Sequence, residues 1–174
     1  MEYLEQIGTE WHEYQGYFVR RELWVGLESD GSYECELDIV GFHPMRHRLV
    51  QIETSLDLLS WQEKEEYFRI KFAAGKKYLH RMFGVEPQAH LEQIALVAGD
   101  AGVHHTIAGG KLIRLDEMLA EILRHFCTFD IAESAVPEQW PLLRTLQFAA
   151  AYRARLAPIL TGAAAAEISR AAAT

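Results

Sequence analysis

The chain has 174 residues, of which 49% are hydrophobic and 24% are charged, a composition typical of one globular domain with an ordinary apolar core. No run approaches the roughly 20 apolar residues that a membrane helix needs, and the N-terminus lacks the pattern of a secretory signal. A formal net charge of −8 argues against a protein that coats nucleic acid by bulk electrostatics. Two cysteines form no disulfide framework, so we expect a cytoplasmic protein.

The chain begins with a predicted amphipathic helix over residues 3–14, which Gly16 ends. Residues 17–27 are rich in aromatic and apolar side chains and are typical of a strand, and the polar residues 29–32 predict a turn after it. The predicted helix carries its apolar face at helical spacing, on Leu4, Ile7, Trp11 and Tyr14.

Two further strands are predicted over residues 36–44 and 49–55, and each carries a carboxylate in an otherwise apolar run. Side chains alternate along a strand, so hairpin pairing would place Asp38 and Glu53 on one face. Two neighbouring carboxylates in a partly buried site repel each other unless a proton or a cation lies between them. The pair therefore predicts a divalent metal site, and Mg²⁺ or Mn²⁺ suits such hard oxygen ligands.

The remainder of the chain predicts three helices and two strands. Ser60 is a plausible N-cap of a long helix that runs to about residue 82, with Gly84 after its end. Pro141 predicts the start of a final amphipathic helix over residues 142–156, after a loop. The other predicted elements are strands at 94–98 and 111–115, a helix from Asp116 to about Phe126, a loop at 128–139 and an Ala-rich tail at 161–174. We expect one domain over residues 1–160.

This order of elements resembles the PD-(D/E)XK nuclease superfamily over about residues 3–125. The resemblance implies an α/β protein with a restriction-endonuclease-like αβββαβ core, a mixed central sheet flanked by helices, to which this chain adds a C-terminal helix. It also implies a Mg²⁺- or Mn²⁺-dependent nuclease acting on DNA or structured nucleic acid. Asp38 stands at the metal-binding aspartate of the motif and Glu53 at the glutamate of Glu-x-Lys. Either Glu5 or Glu10 would be the metal-binding glutamate of the first helix.

The chain departs from the motif at Ser55, which stands where the superfamily has its catalytic lysine. A serine supplies no positive charge to stabilise a developing phosphorane. Lys64 and Lys71 on the long helix are candidates to replace that lysine, because they flank one face of the helix. Ser55 itself either hydrogen-bonds the attacking water or a phosphate oxygen, or merely caps the end of its strand.

Two other functions stay open at this point. The first is a catalytically inactive relative that binds nucleic acid or a protein partner, which the absent Glu-x-Lys lysine favours. The second is a structural module, with exposed carboxylates and a homodimer formed through the helix at residues 142–156. No membrane partner is expected.

Overall fold

The computed structural model describes residues 3–56, 60–86, 90–99 and 103–162. The chain divides into two compact units, one ending at Met118 and the other starting at Leu119. The single domain expected over residues 1–160 stays a prediction. The α/β class is confirmed, because the structure combines helices with a six-stranded mixed sheet.

The first unit contains the whole sheet. Its elements are α1 (Tyr3–Tyr14), β1 (Phe18–Leu27), β2 (Tyr33–His43), β3 (Arg48–Ser55), α2 (Trp61–Met82), β4 (His90–Val97), β5 (Thr106–Ile107), β6 (Gly110–Arg114) and the start of α3 (Leu115–Phe126). The predicted helices and strands of this region are present. The sequence missed the two-residue strand β5, and it placed the start of β4 too late.

The strands lie in the order β1-β2-β3-β4-β6-β5. β1, β2 and β3 form an antiparallel meander, whereas β3, β4 and β6 run parallel to one another. Parallel neighbours need a crossover connection, and α2 supplies it between β3 and β4. In the β2–β3 hairpin Ile39 is opposite Ile52, so the same register places Asp38 opposite Glu53.

The helices α1 and α2 cover opposite faces of the sheet. A Cβ on Gly8 of α1 would lie 3.0 Å from the side chain of Ile39, whereas the neighbouring Asp38 points to α2. Phe68 and Phe72 of α2 are buried against the sheet. Both helices therefore hold the strands that carry the two carboxylates.

The ends of α2 follow the predicted signals. The Ser60 side chain accepts a hydrogen bond from the Glu63 backbone N–H, and the Glu63 carboxylate accepts one from the Ser60 backbone N–H, which is a capping box. At the other end Gly84 adopts a φ of 61°, where a side chain would be strained. These two signals fix where α2 begins and ends, and so which of its residues face the sheet.

The second unit continues α3 and adds α4 (Pro141–Ala151) and α5 (Arg153–Leu160). Pro141 starts α4 as predicted. The prediction of a single helix over residues 142–156 is wrong, because the helix is interrupted at Tyr152. At the break the Arg153 guanidinium donates to the Ala150 carbonyl at 2.8 Å and so satisfies an acceptor at the end of α4. Of the predicted tail, residues 163–174 lie outside the described residues.

Among the helices that the structure describes, none combines the length and the apolar character that crossing a membrane requires.

Candidate active site

The candidate site lies where β2 and β3 stop pairing through their backbones. At this point the Asp38 backbone N–H donates to Glu53 Oε2 at 3.2 Å, and the Thr54 backbone N–H donates to Asp38 Oδ2 at 2.7 Å. Each carboxylate thus replaces a carbonyl as the acceptor for the opposite strand. These bonds fix both side chains close together, as the alternation along the two strands predicts.

Lys71 of α2 joins the two carboxylates. Its Nζ lies 2.7 Å from Asp38 Oδ1 and 3.3 Å from Glu53 Oε2. All three side chains are shielded from water, with exposed fractions of 13% for Lys71, 12% for Asp38 and 0% for Glu53. One ammonium between two buried carboxylates leaves a formal charge of −1 when all three groups are ionised, and that charge attracts either a proton or a further cation.

The electrostatics of the cluster favour a proton or a cation on Glu53. Burial, reinforced by the negative charge of Asp38, raises the pKa of Glu53 from 4.5 to about 8. Burial by itself would lower the pKa of Lys71, but the charges of Glu53 and Asp38 outweigh it and raise that pKa. Near neutral pH Lys71 therefore stays charged, while Glu53 holds a proton that a metal ion would displace.

Tyr67 lies on α2 one helical turn before Lys71, and its ring is close to the Lys71 ammonium. The Lys71 Nζ lies 5.3 Å from the centre of the Tyr67 ring, within the range of a cation–π contact. Burial and the charge of Asp38 raise the pKa of the Tyr67 phenol to about 12, so the phenol keeps its proton and can donate it in a hydrogen bond.

The other predicted site residues have different surroundings. Ser55 is buried at the end of β3, and its hydroxyl donates to the Leu56 carbonyl at 3.1 Å, which is the strand-end role that the sequence left open. Lys64 is buried on α2, and its part in the site stays a prediction. On α1, Glu10 is buried and accepts a hydrogen bond from Gln6 at 2.9 Å, whereas Glu5 lies half-buried in the first turn.

In the described part of the chain, no third His, Cys, Asp or Glu side chain joins Asp38 and Glu53 as a possible metal ligand. Within residues 3–56, 60–86, 90–99 and 103–162, no group of three His, Cys, Asp or Glu side chains is placed to hold a metal ion. Glu5 and Glu10 therefore do not complete such a set in this conformation. Their role as ligands stays a prediction.

Four residues that the sequence analysis did not name as site residues surround the cluster. Gln51 shares a strand face with Glu53. A polar side chain in a buried strand needs a hydrogen-bond partner, so Gln51 could have been identified from the sequence as a residue near the site. A second signal was Gly75, an isolated glycine inside α2, because such a glycine commonly marks a close approach. The four residues are Gln51, Thr54, Tyr67 and Gln93.

The carboxylate oxygens of Asp38 and Glu53 are ligand atoms that fit a small divalent cation. Asp38 Oδ2 is occupied by two donors from Thr54, and Glu53 Oε1 by the Gln51 amide. Asp38 Oδ1 and Glu53 Oε2, the second of which also accepts from the Asp38 backbone N–H, both face the position of the Lys71 ammonium. Two carboxylate oxygens directed at one cationic position are the hard ligands that Mg²⁺ and Mn²⁺ prefer.

Comparison of the chain with protein-family models, with curated proteins and with solved structures gives no match.

Proposed function

We propose that this chain has a restriction-endonuclease-like fold and is a metal-dependent nuclease that hydrolyses phosphodiester bonds of DNA or structured nucleic acid. The observation that carries the proposal is the contact of Lys71 with both Asp38 and Glu53. The sequence lacks a lysine two residues after Glu53, and α2 supplies an ammonium to the same pair of carboxylates. The order α1-β1-β2-β3-α2-β4, with β3 and β4 parallel, agrees with the proposed fold.

Asp38 and Glu53 would hold the metal ion. Both side chains are fixed by donors on neighbouring backbone and side-chain groups, so little ordering is needed when a cation arrives. A bound Mg²⁺ or Mn²⁺ supplies polarisation of the scissile phosphate and lowers the pKa of a bound water. Because its pKa is raised, Glu53 would have to lose its proton to serve as a ligand.

Lys71 supplies the positive charge for the phosphate. Its ammonium is held above Asp38 in a site of low exposure, where an electrostatic contact is stronger than in water. In the reaction this ammonium stabilises the negative charge that develops on the phosphate oxygens. The Tyr67 ring, whose centre lies 5.3 Å from the Lys71 Nζ, attracts the same ammonium.

Metal binding and cleavage test the proposal together. We expect calorimetric titration of Mn²⁺ to give one saturable process that Asp38→Asn and Glu53→Gln abolish. The exposed Glu34 lies on the same strand as Asp38, so Glu34→Gln is the matched control and should bind as the wild type does. The same four proteins are then incubated with duplex DNA, single-stranded DNA and structured RNA in Mg²⁺ or Mn²⁺. A wild type that neither binds metal nor cleaves any of the substrates would contradict the proposal.

A second candidate is a catalytically inactive nuclease-fold protein that binds nucleic acid or a protein partner. The placement of Ser55 favours it, because the hydroxyl is used by the Leu56 carbonyl and supplies nothing to the carboxylates. Nucleic-acid binding that persists in Asp38→Asn, without cleavage by the wild type, would favour this candidate.

A further inference from the structure

Behind Glu53 two buried glutamines form a chain of hydrogen bonds. The Gln51 amide nitrogen donates to Glu53 Oε1 at 2.7 Å and to the Lys71 carbonyl at 2.9 Å. The Gln93 amide nitrogen donates to Gln51 Oε1 at 2.7 Å and to the Phe72 carbonyl at 2.8 Å. The chain therefore connects β4, β3 and two consecutive carbonyls of α2.

The direction of this chain is fixed. Backbone carbonyls only accept hydrogen bonds, so the side chains of Gln51 and Gln93 must each direct their NH₂ group at α2. The same NH₂ group of Gln51 donates to Glu53 Oε1, so the Lys71 carbonyl also determines which amide atom meets Glu53. Both glutamines are buried, with exposed fractions of 0% and 7%. Water therefore does not readily replace either amide, and loss of its hydrogen bonds would cost free energy of folding.

The consequence for Glu53 is that a buried amide engages one oxygen and only the other lies at the Lys71 ammonium. Oε1 accepts from Gln51, whereas Oε2 accepts from the Asp38 backbone N–H and is the oxygen that lies 3.3 Å from the Lys71 Nζ. Asp38 is restricted in the same way, because Thr54 occupies Oδ2 and leaves Oδ1. Each carboxylate thus offers a single oxygen to a shared cation.

We propose that Gln51, supported by Gln93, is a positioning residue that makes Glu53 a one-oxygen ligand and so selects Mg²⁺ or Mn²⁺ over Ca²⁺. Ca²⁺ takes six to eight oxygens and commonly uses both oxygens of a carboxylate, whereas Mg²⁺ requires a near-octahedral set and keeps several waters. Two carboxylates that each present one oxygen suit the smaller ion. This inference rests on the proposed function, because it concerns the metal held by the same two carboxylates.

The test is a comparison of Mn²⁺ and Ca²⁺ affinities, measured by calorimetry with the ions alone, in wild type and in Gln51→Leu. Loss of the Gln51 amide frees Glu53 Oε1, so we expect the ratio of Ca²⁺ to Mn²⁺ affinity to rise by about tenfold, the usual scale for loss of a residue behind a metal ligand. Gln93→Leu leaves the Gln51 amide without its partner and should shift the ratio in the same direction by less.

Gln147 of the second unit provides the matched control. It is also a buried glutamine, and it accepts from the Val136 backbone N–H at 2.8 Å and donates to the Ser134 carbonyl at 2.6 Å. Gln147→Leu therefore removes a comparable buried amide and should leave the affinity ratio unchanged. If Gln51→Leu does not fold, Gln51→Met keeps the length of the side chain without its hydrogen bonds and replaces it in the comparison.

The outcomes separate this inference from the proposed function. Mn²⁺ binding by the wild type, together with an unchanged ratio in a folded Gln51 variant, overturns the role of Gln51 and leaves the nuclease proposal standing. A wild type that binds neither ion overturns both. A shift of equal size in Gln147→Leu also overturns the role of Gln51, because loss of any buried amide would then suffice.

Discussion

Gly75 of α2 lies directly against the side chain of Gln51: a Cβ on residue 75 would fall 1.8 Å from Gln51 Oε1. That oxygen also accepts the amide of Gln93, so it is held in place rather than free to move aside. A glycine inside a helix costs about 1 kcal/mol relative to alanine. The structure gives the reason for the glycine, because α2 approaches β3 closely enough to hydrogen-bond the amide chain behind Glu53.

Gly75→Ala should therefore destabilise the protein although alanine favours a helix. The methyl group displaces the Gln51 amide, and loss of buried hydrogen bonds costs about 1–3 kcal/mol, more than the gain in helix propensity. We expect a lower free energy of unfolding in urea. In a Gln51→Ala background the clash is absent, so the same substitution should be neutral or stabilising by up to about 1 kcal/mol. Equal losses in both backgrounds would show that Gln51 is not the cause.

The stability of the wild type should fall relative to Glu53→Gln as the pH rises from about 4.5 to about 8. The pKa of Glu53 is raised from 4.5 to about 8, so in this window the unfolded chain loses a proton that the folded protein retains. The stabilising contribution is complete below the unfolded pKa and is lost as the pH rises through the folded one. Its slope is at most about 1.4 kcal/mol per pH unit.

Urea unfolding of both proteins at several pH values, without metal, measures this difference. Glutamine does not titrate, so the variant removes the contribution of residue 53 and retains that of every other group. A difference that stays constant between pH 5 and about 8 would contradict a raised pKa for Glu53.

The sequence predicted the carboxylate pair because strand alternation and a short turn determine which residues of a hairpin share a face. It did not distinguish Lys64 from Lys71, since the two are two turns apart on similar faces of α2, and the position of the helix along the strands decides which one reaches the carboxylates. Gln93 was missed because the predicted strand began one residue after it. The break at Tyr152 was missed because helical periodicity continues through it.

Lys71→Met should raise the affinity for Mn²⁺ and slow cleavage by about 10²–10³. The ammonium lies 2.7 Å from Asp38 Oδ1 and 3.3 Å from Glu53 Oε2, so it repels a divalent ion that approaches these two oxygens. Its removal should tighten Mn²⁺ binding by at least about tenfold, as expected for one like charge in a poorly exposed site. Calorimetry measures the affinity, and the cleavage assay measures the loss of activity.

Lys76 is exposed on the same helix, and Lys76→Met is the matched control for a change in net charge. It should leave Mn²⁺ affinity and cleavage near the wild-type values, because exposed charges are screened. Equal Mn²⁺ affinity in Lys71→Met and wild type would mean that the Lys71 ammonium does not compete for the cation position.

Moving the lysine back to β3 tests whether Lys71 replaces the lysine of the Glu-x-Lys motif. Lys71→Met alone should lower the rate of cleavage by about 10²–10³, as loss of one group that stabilises the transition state does. Ser55 shares a strand face with Glu53, so a lysine at residue 55 can bring an ammonium to the carboxylates from the other side. The double variant Ser55→Lys/Lys71→Met should cleave at least about tenfold faster than Lys71→Met.

Ser55→Met/Lys71→Met is the control, because it has a side chain of similar length at residue 55 but no charge there. Recovery in the lysine variant alone would assign the effect to the ammonium and not to packing at the end of β3. A double variant that folds and binds Mn²⁺ but stays as inactive as Lys71→Met would contradict the replacement. The function of Lys71 would then depend on its position on α2, between the Tyr67 ring and Asp38, and not only on its charge.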